Sequence, residues 1–163
     1  MKIEWKDILL LVSDFDGVMT DGLVLVDQDG KESVRCSRRD GLGVALLAEQ
    51  GVKTIVISKE RNGVVAARCA KLKIECFSGV DDKIQLLKKV LEEKSVDPRQ
   101  ACFIGDDVTD VDCIRHIGIG VAVADAMPAA REAADYVTQA KGGDHAVREV
   151  CDLICHAKQE HAS

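Results

Sequence analysis

Basic residues are in the minority in this 163-residue chain: 22 Lys and Arg stand against 28 Asp and Glu, a net charge of −6. A surface of that sign repels phosphate backbones, which argues against generic affinity for nucleic acid. Aromatic residues are scarce, at 3%, so the core must be aliphatic. No apolar run is long enough to span a bilayer. The charged stretch Met1 to Asp7 leads into the short run Ile8 to Val12 without a signal-peptide cleavage site. The seven cysteines (Cys36, Cys69, Cys76, Cys102, Cys113, Cys151 and Cys155) are odd in number and form no CxxC pair. They read as reduced core thiols, as expected of a cytoplasmic protein. The two prolines, Pro98 and Pro128, sit in loop or helix-start contexts, and no linker, repeat or low-complexity tract is found.

Against these absences, apolar residues make up 47% and charged residues 31%, the balance of a soluble globular protein. A chain of this length suits one core, so a single domain over residues 1–163 is expected, with the tail from about Lys158 frayed. Short apolar runs alternate with longer helical patterns, which predicts an α/β fold built on a mainly parallel sheet. The candidate strands are Ile8 to Ser13, Thr54 to Ser58, Ala101 to Gly105 and Ile119 to Ala122, each nearly all apolar, as strands covered on both faces are. Gly41 to Gln50, Gly63 to Leu72 and Asp81 to Lys94 carry apolar residues at three-and-four spacing and read as the crossover helices. One segment interrupts the first crossover. Leu23 to Val26 and Ser33 to Arg35 flank Asp27-Gln28-Asp29-Gly30, a β-hairpin insert with an Asp-Gly turn.

The strongest chemical signal is the apolar strand that ends in Ser13-Asp14-Phe15-Asp16-Gly17. In an open α/β sheet, ligands bind in the crevice beyond the carboxyl ends of the strands. Residues two apart on extended chain lie roughly 7 Å apart and point the same way, so both acids would share one cleft. Such a pair calls for a cation, and oxygen-only ligands favour a hard ion such as Mg2+. A third carboxylate is available at a second strand end, where Ala101 to Gly105 is followed by Asp106, Asp107 and Asp110. Ser58 closes a third strand and Lys83 opens a helix. A hydroxyl and an ammonium at those positions suit phosphoryl oxygens.

These four elements, Asp14-Phe15-Asp16-Gly17, Ser58, Lys83 and Gly105-Asp106-Asp107-Val108-Thr109-Asp110, occur in the order found in the haloacid dehalogenase superfamily, and the chain resembles that family from about Ile8 to Glu149. The resemblance implies a Rossmann-like three-layer α/β/α sandwich. With the hairpin in place of a cap domain, the chain looks like the capless branch that contains 3-deoxy-D-manno-octulosonate 8-phosphate and nonulosonate 9-phosphate phosphatases. Asp40-Gly41-Leu42-Gly43, Gly142-Gly143 and Arg148-Glu149 also resemble that branch. It implies a homotetramer whose hairpins pack together and in which a neighbouring subunit covers each active site.

By that resemblance Asp14 is the nucleophile that becomes an aspartyl-phosphate, and Asp16 is the acid and then the base. Ser58 and Lys83 hold the phosphoryl group. The metal, Mg2+, takes the Asp14 and Asp106 side chains and the Asp16 carbonyl, with Asp107 and Asp110 behind them. Asp110 is left open between holding Lys83 and holding a metal-bound water. Lys59-Glu60 replaces the Gly-Arg typical of octulosonate phosphatases. Together with Lys71 it resembles the nonulosonate members, so Lys59, Glu60, Arg68 and Lys71 are the substrate-binding candidates and a nonulosonate 9-phosphate is the favoured substrate over the octulosonate.

Blander readings compete with these. The Asp14 loop could be a calcium loop, but the twelfth position falls on Leu25, which cannot coordinate. Asp106, Asp107 and Asp110 could simply charge a helix start. Cys151, Cys155 and His156 lack a fourth zinc ligand at a recognised spacing. A phosphoacceptor receiver domain also clusters aspartates, a hydroxyl and a lysine around Mg2+, but in a different chain order. A non-catalytic oligomerisation domain, related to one appended to some sialic-acid cytidylyltransferases, is the remaining alternative. Retention of both Asp14 and Asp16 favours catalysis.

Overall fold

The structure, a computed structural model, describes residues 4–163, so the start of the Met1 to Asp7 stretch lies outside the described residues. Six strands form one parallel sheet in the order β5-β4-β1-β6-β7-β8: β1 (Leu10–Ser13), β4 (Lys53–Ile57), β5 (Glu75–Phe77), β6 (Ala101–Gly105), β7 (Ile119–Ala122) and β8 (Tyr136–Val137). Every residue of β1, β6 and β7 is buried, which is why these strands read as unbroken apolar runs. The four expected strands are all present. The two edge strands, β5 and β8, are too short and too exposed to carry such a pattern.

Six helices connect and cover the sheet: α1 (Arg38–Glu49), α2 (Val64–Leu72), α3 (Lys83–Lys94), α4 (Val111–His116), α5 (Pro128–Ala133) and α6 (Ala146–Ala162). α1 packs with α2 and α6, and α3 and α5 each pack with α4. The chain winds outward from β1 through β4 to β5, then returns to β6 on the other side of β1. Right-handed crossovers therefore put these two sets of helices on opposite faces. α1 begins three residues earlier than its periodicity suggests because Ser37 accepts the Arg39 N–H as a cap. α3 begins two residues late for the same reason, with Asp82 capping Gln85 N–H.

α6 buries Val147, Val150, Cys151, Ile154 and Cys155 on one stripe, while His156 is exposed. That division leaves no common point for a zinc ion. Where a frayed tail is expected, the helix instead runs on to Ala162, and Lys158 Nζ donates to the Lys6 carbonyl. No helix of the described residues is long and apolar enough to cross a membrane.

The hairpin consists of β2 (Leu25–Val26) and β3 (Glu32–Ser33). Its tip is a true turn: Asp27 Oδ1 accepts from Asp29 N–H and Lys31 N–H, each at 2.9 Å, and Gly30 has φ +78°. Its base is closed by a bridge between Thr20 and Cys36. All seven cysteines are free thiols.

Candidate active site

The sheet reverses its winding direction at β1, and the crevice beyond the strand ends at that switch is where an α/β sheet presents ligand groups. β1 ends at Ser13, paired with Val56 of β4 and Ile104 of β6. Asp14, Ser58 and Asp106 therefore emerge side by side. Asp14 N–H still donates to the Ile104 carbonyl, at 2.9 Å, after which the chain leaves the sheet. Lys83 reaches the same place from the first turn of α3.

The charges then meet at short range. Lys83 Nζ lies 2.9 Å from Asp14 Oδ1 and 2.7 Å from Asp110 Oδ1. Asp14 Oδ1 also accepts the Phe15 N–H at 2.7 Å. Asp110 is fully buried, and its Oδ2 accepts from the Asp106 and Asp107 N–H groups. Both Asp110 oxygens thus have partners: Oδ1 meets Lys83, one of the two roles left open for it, and Oδ2 shapes the β6 loop. Asp107 starts the next turn, its Oδ1 accepting Val108 N–H at 2.6 Å.

Burial works against the Lys83 ammonium, but the Asp14 and Asp110 charges outweigh it and raise its pKa. Asp14 is also raised, well above the usual carboxylate range, by burial first and the Asp110 charge second. An ion pair should lower an aspartate, so the two partners disagree. The geometry explains the conflict: Asp14, Asp106 and Asp110 bring one oxygen each within 4.8 Å of one another, against a single ammonium. Asp106 is pushed to about 7 by burial and then by Asp110, with its carboxyl in hydrogen-bond reach of Asp14. Taken as ionised, three carboxylates and one ammonium carry an excess of two negative charges, and the raised pKa values of Asp14 and Asp106 reflect that crowding in a partly desolvated site.

A hard divalent cation is the species that fits this all-oxygen, doubly negative cluster. The backbone makes room for the Asp106 carboxylate beside Asp14. Gly17 has φ +81°, and a Cβ there would overlap the Asp106 carboxylate. Thr20 Oγ1 accepts both Gly17 N–H and Gly22 N–H at 3.1 Å, holding the loop in that tight turn.

The cleft over these groups has a volume of about 470 Å³ and is lined by Asp14, Asp16, Ser58, Lys83, Asp106 and Asp107 together with Lys59, Glu60, Arg61, Gly22 and Thr109. That is the size of a small-molecule site. Asp16 is half-buried and raised, by burial and then by the Glu60 charge. Glu60 turns back on its own loop, its Oε1 accepting from Arg61 and Asn62 N–H, and Lys59 Nζ donates to the Asp81 carbonyl. Asn62 in turn donates to Glu32 Oε2 at 2.7 Å, so the hairpin is tied to the cleft wall.

Of the expected substrate residues, Lys59 and Glu60 line the cleft, whereas Arg68 and Lys71 do not. Both lie on α2, one and two turns beyond the loop. Arg68 donates to the Ser37 carbonyl at 3.1 Å, and Lys71 is exposed. Arg61 was missed, although three consecutive charged residues after a strand-ending serine could have marked it. It reaches the cleft wall while pairing with Asp81 at 3.0 Å.

Comparison with known proteins agrees with this geometry. The haloacid dehalogenase-like hydrolase profile matches residues 51–150. The 3-deoxy-D-manno-octulosonate 8-phosphate phosphatase of Escherichia coli strain K12 is 36% identical over 154 residues, 94% of this chain and 82% of the relative. The crystal structure of the Moraxella catarrhalis enzyme of that name, in complex with magnesium ion, phosphate ion and KDO, superposes with a TM-score of 0.92. It is 31% identical, over 97% of this chain and 91% of the other. The cobalt-bound form of the Haemophilus influenzae phosphatase gives a TM-score of 0.91 at 31% identity, over 95% and 91% of the two chains.

Proposed function

Because this chain belongs to the haloacid dehalogenase-like hydrolase family, we propose that it hydrolyses the phosphate ester of a sugar acid through a phosphoryl group carried on Asp14. The chain is a phosphatase of that family. The observation that carries the mechanism is the convergence of Asp14, Asp106, Asp110 and Lys83 at one cleft, three carboxylates against one ammonium.

Asp14 Oδ1 is committed to Phe15 N–H and Lys83, so the second oxygen is the one that attacks phosphorus. As the new P–O bond forms, the ester P–O bond breaks, and the departing sugar oxygen takes a proton from Asp16. The raised pKa of Asp16 keeps this acid loaded to higher pH. Asp16 then takes a proton from water, whose oxygen attacks phosphorus and frees Asp14 and inorganic phosphate. Lys83 and Ser58 offer an ammonium and a hydroxyl to the phosphoryl oxygens, and Asp110 keeps Lys83 aimed at them. The Asp14 and Asp106 carboxylates and the Asp16 carbonyl would hold a Mg2+, which would supply positive charge to offset the repulsion between an anionic ester and the Asp14 carboxylate.

The first substrate in this reading is 3-deoxy-D-manno-octulosonate 8-phosphate, supported by the names of the relatives. A nonulosonate 9-phosphate is the second, supported by Glu60 in the cleft wall, an acceptor for sugar hydroxyls or an amino group where a guanidinium could only donate. Arg68 and Lys71 enter either reading only from a neighbouring copy of the chain. Such a copy has a surface to bind: Leu23, Val24, Leu25 and Val26 on the hairpin are consecutive, apolar and exposed, a patch suited to the homotetramer implied by the resemblance. Phosphate release from the two sugar acids, measured side by side with Mg2+ and repeated with Glu60→Arg, tests the assignment. A tenfold preference, about 1.4 kcal/mol, for one substrate is expected, and comparable rates on both would leave Glu60 without a role in selectivity.

A further inference from the structure

Asp40 is a buried carboxylate outside the cleft that the mechanism does not use. It sits in the first turn of α1 at 2% exposure. Its Oδ1 accepts the Arg148 N–H at 2.9 Å, across 108 residues of sequence, while its Oδ2 is buried without a partner among the described residues. Arg148 is the third residue of α6, whose own cap position, His145, is left-handed (φ +63°) and provides no side-chain cap. The free N–H groups of a helix start need an acceptor, and here it comes from another helix.

The segment that leads into this helix start touches the catalytic loop. Gly143 N–H donates to the Val18 carbonyl at 3.0 Å, and Gly142 N–H donates to Asp125 Oδ1 at 3.0 Å. A Cβ on Gly142 would overlap the Gly17 carbonyl, and one on Gly143 would overlap Thr20 and Asp21. Only bare backbone fits between α6 and the loop that carries Asp14 and Asp16. Gly43, three residues after Asp40, allows close though looser packing of α1 on Arg148 and Cys151.

We infer that Asp40 is a positioning residue: by capping α6 from α1 it seats the Gly142-Gly143 strap on the Gly17–Asp21 turn and so sets the aim of Asp14 and Asp16. The role deepens the phosphatase reading above and rests on it for the kinetic part of its test. Two variants of similar volume separate acceptor from filler. Asp40→Asn keeps an oxygen for Arg148 N–H and retains kcat within twofold of wild type, whereas Asp40→Leu fills the space without an acceptor and loses about tenfold in kcat with KM changed less than twofold. In Asp40→Leu the Arg148 and Gly143 amides both exchange with solvent at least tenfold faster, and in Asp40→Asn neither does. A folded Asp40→Leu with wild-type kcat, or a loss as large in Asp40→Asn, overturns the role, as does faster exchange confined to Arg148. If Asp40→Leu does not fold, the wild type decides. Its Arg148 and Gly143 amides open as one unit and exchange within threefold of each other, and rates tenfold or more apart overturn the role. A wild type that releases no phosphate from any sugar acid phosphate would instead sink the phosphatase reading and leave the exchange arm standing.

Discussion

Asp14 and Asp40 are both withdrawn from solvent, at 6% and 2% exposure, and burial is the first cause of the raised pKa of each. Their company differs. Asp14 opens onto a cleft and is clustered with Lys83, Asp106 and Asp110, whereas Asp40 is sealed between helices and meets a backbone N–H. A perturbed carboxyl therefore does not mark chemistry unless other reactive groups converge on it with access for a ligand. In the cleft, the excess negative charge calls for a cation. Between the helices, a single carboxylate is tolerated because the start of α6 offers it a donor and a favourable dipole.

Three measurements test this contrast. The largest effect is expected for Asp14→Asn, which removes the proposed nucleophile at nearly constant volume. kcat should fall by roughly 10⁴-fold or more while the circular dichroism spectrum stays that of wild type and Tm does not fall, since the variant also removes a buried, crowded carboxylate. Retained turnover would remove Asp14 from the centre of the mechanism.

Next in size is Asp40→Asn, read by stability. The Asp40 carboxyl is raised to about 6, by burial against the opposing Arg148 N–H and the His145 and Arg68 charges, with Asp144 reinforcing the rise. A folded-state pKa above the unfolded value means that the folded protein holds this proton more tightly. The associated stability is present below about pH 4 and is lost as pH rises to about 6. Asparagine avoids the loss, so Asp40→Asn should exceed wild type by on the order of 3 kcal/mol at pH 7.5, and the gap in Tm should narrow towards pH 4. A gap independent of pH would show that Asp40 does not titrate in this window.

A somewhat smaller effect concerns the cation. At a hundred times its dissociation constant Mg2+ should stabilise wild type by about 2.7 kcal/mol, which is roughly 5–10 °C in Tm for a chain of this size. Asp106→Asn should lose that shift and, in EDTA, be no less stable than wild type, because it removes one of the mutually repelling carboxylates. An Mg2+ response equal to wild type in this variant would place the cation elsewhere.

The central strands were legible in the residues because burial on both faces forces continuous apolar runs, and β6 and β7 match their expected bounds to the residue. β5 and β8 were not, since three-residue and two-residue edge strands with exposed positions have no period to detect. Ser58, Asp106 and Lys83 were legible as neighbours in one cleft because each stands where an element begins or ends. Arg68 and Lys71 were misplaced relative to this chain's cleft because helical spacing tells which residues share a face, not which way that face turns.

Local sequence was enough to establish the alternation of strand and helix, the acidic ends of β1 and β6, and the turn of the hairpin, because these depend on burial, pleat and glycine over a few residues. Folding alone assigned Asp110 to Lys83, set three carboxylates against one ammonium at the cleft, and gave α6 its cap from a residue 108 positions away. Those outcomes depend on distances between segments remote in the chain, and residue order does not contain such distances until the sheet has set them.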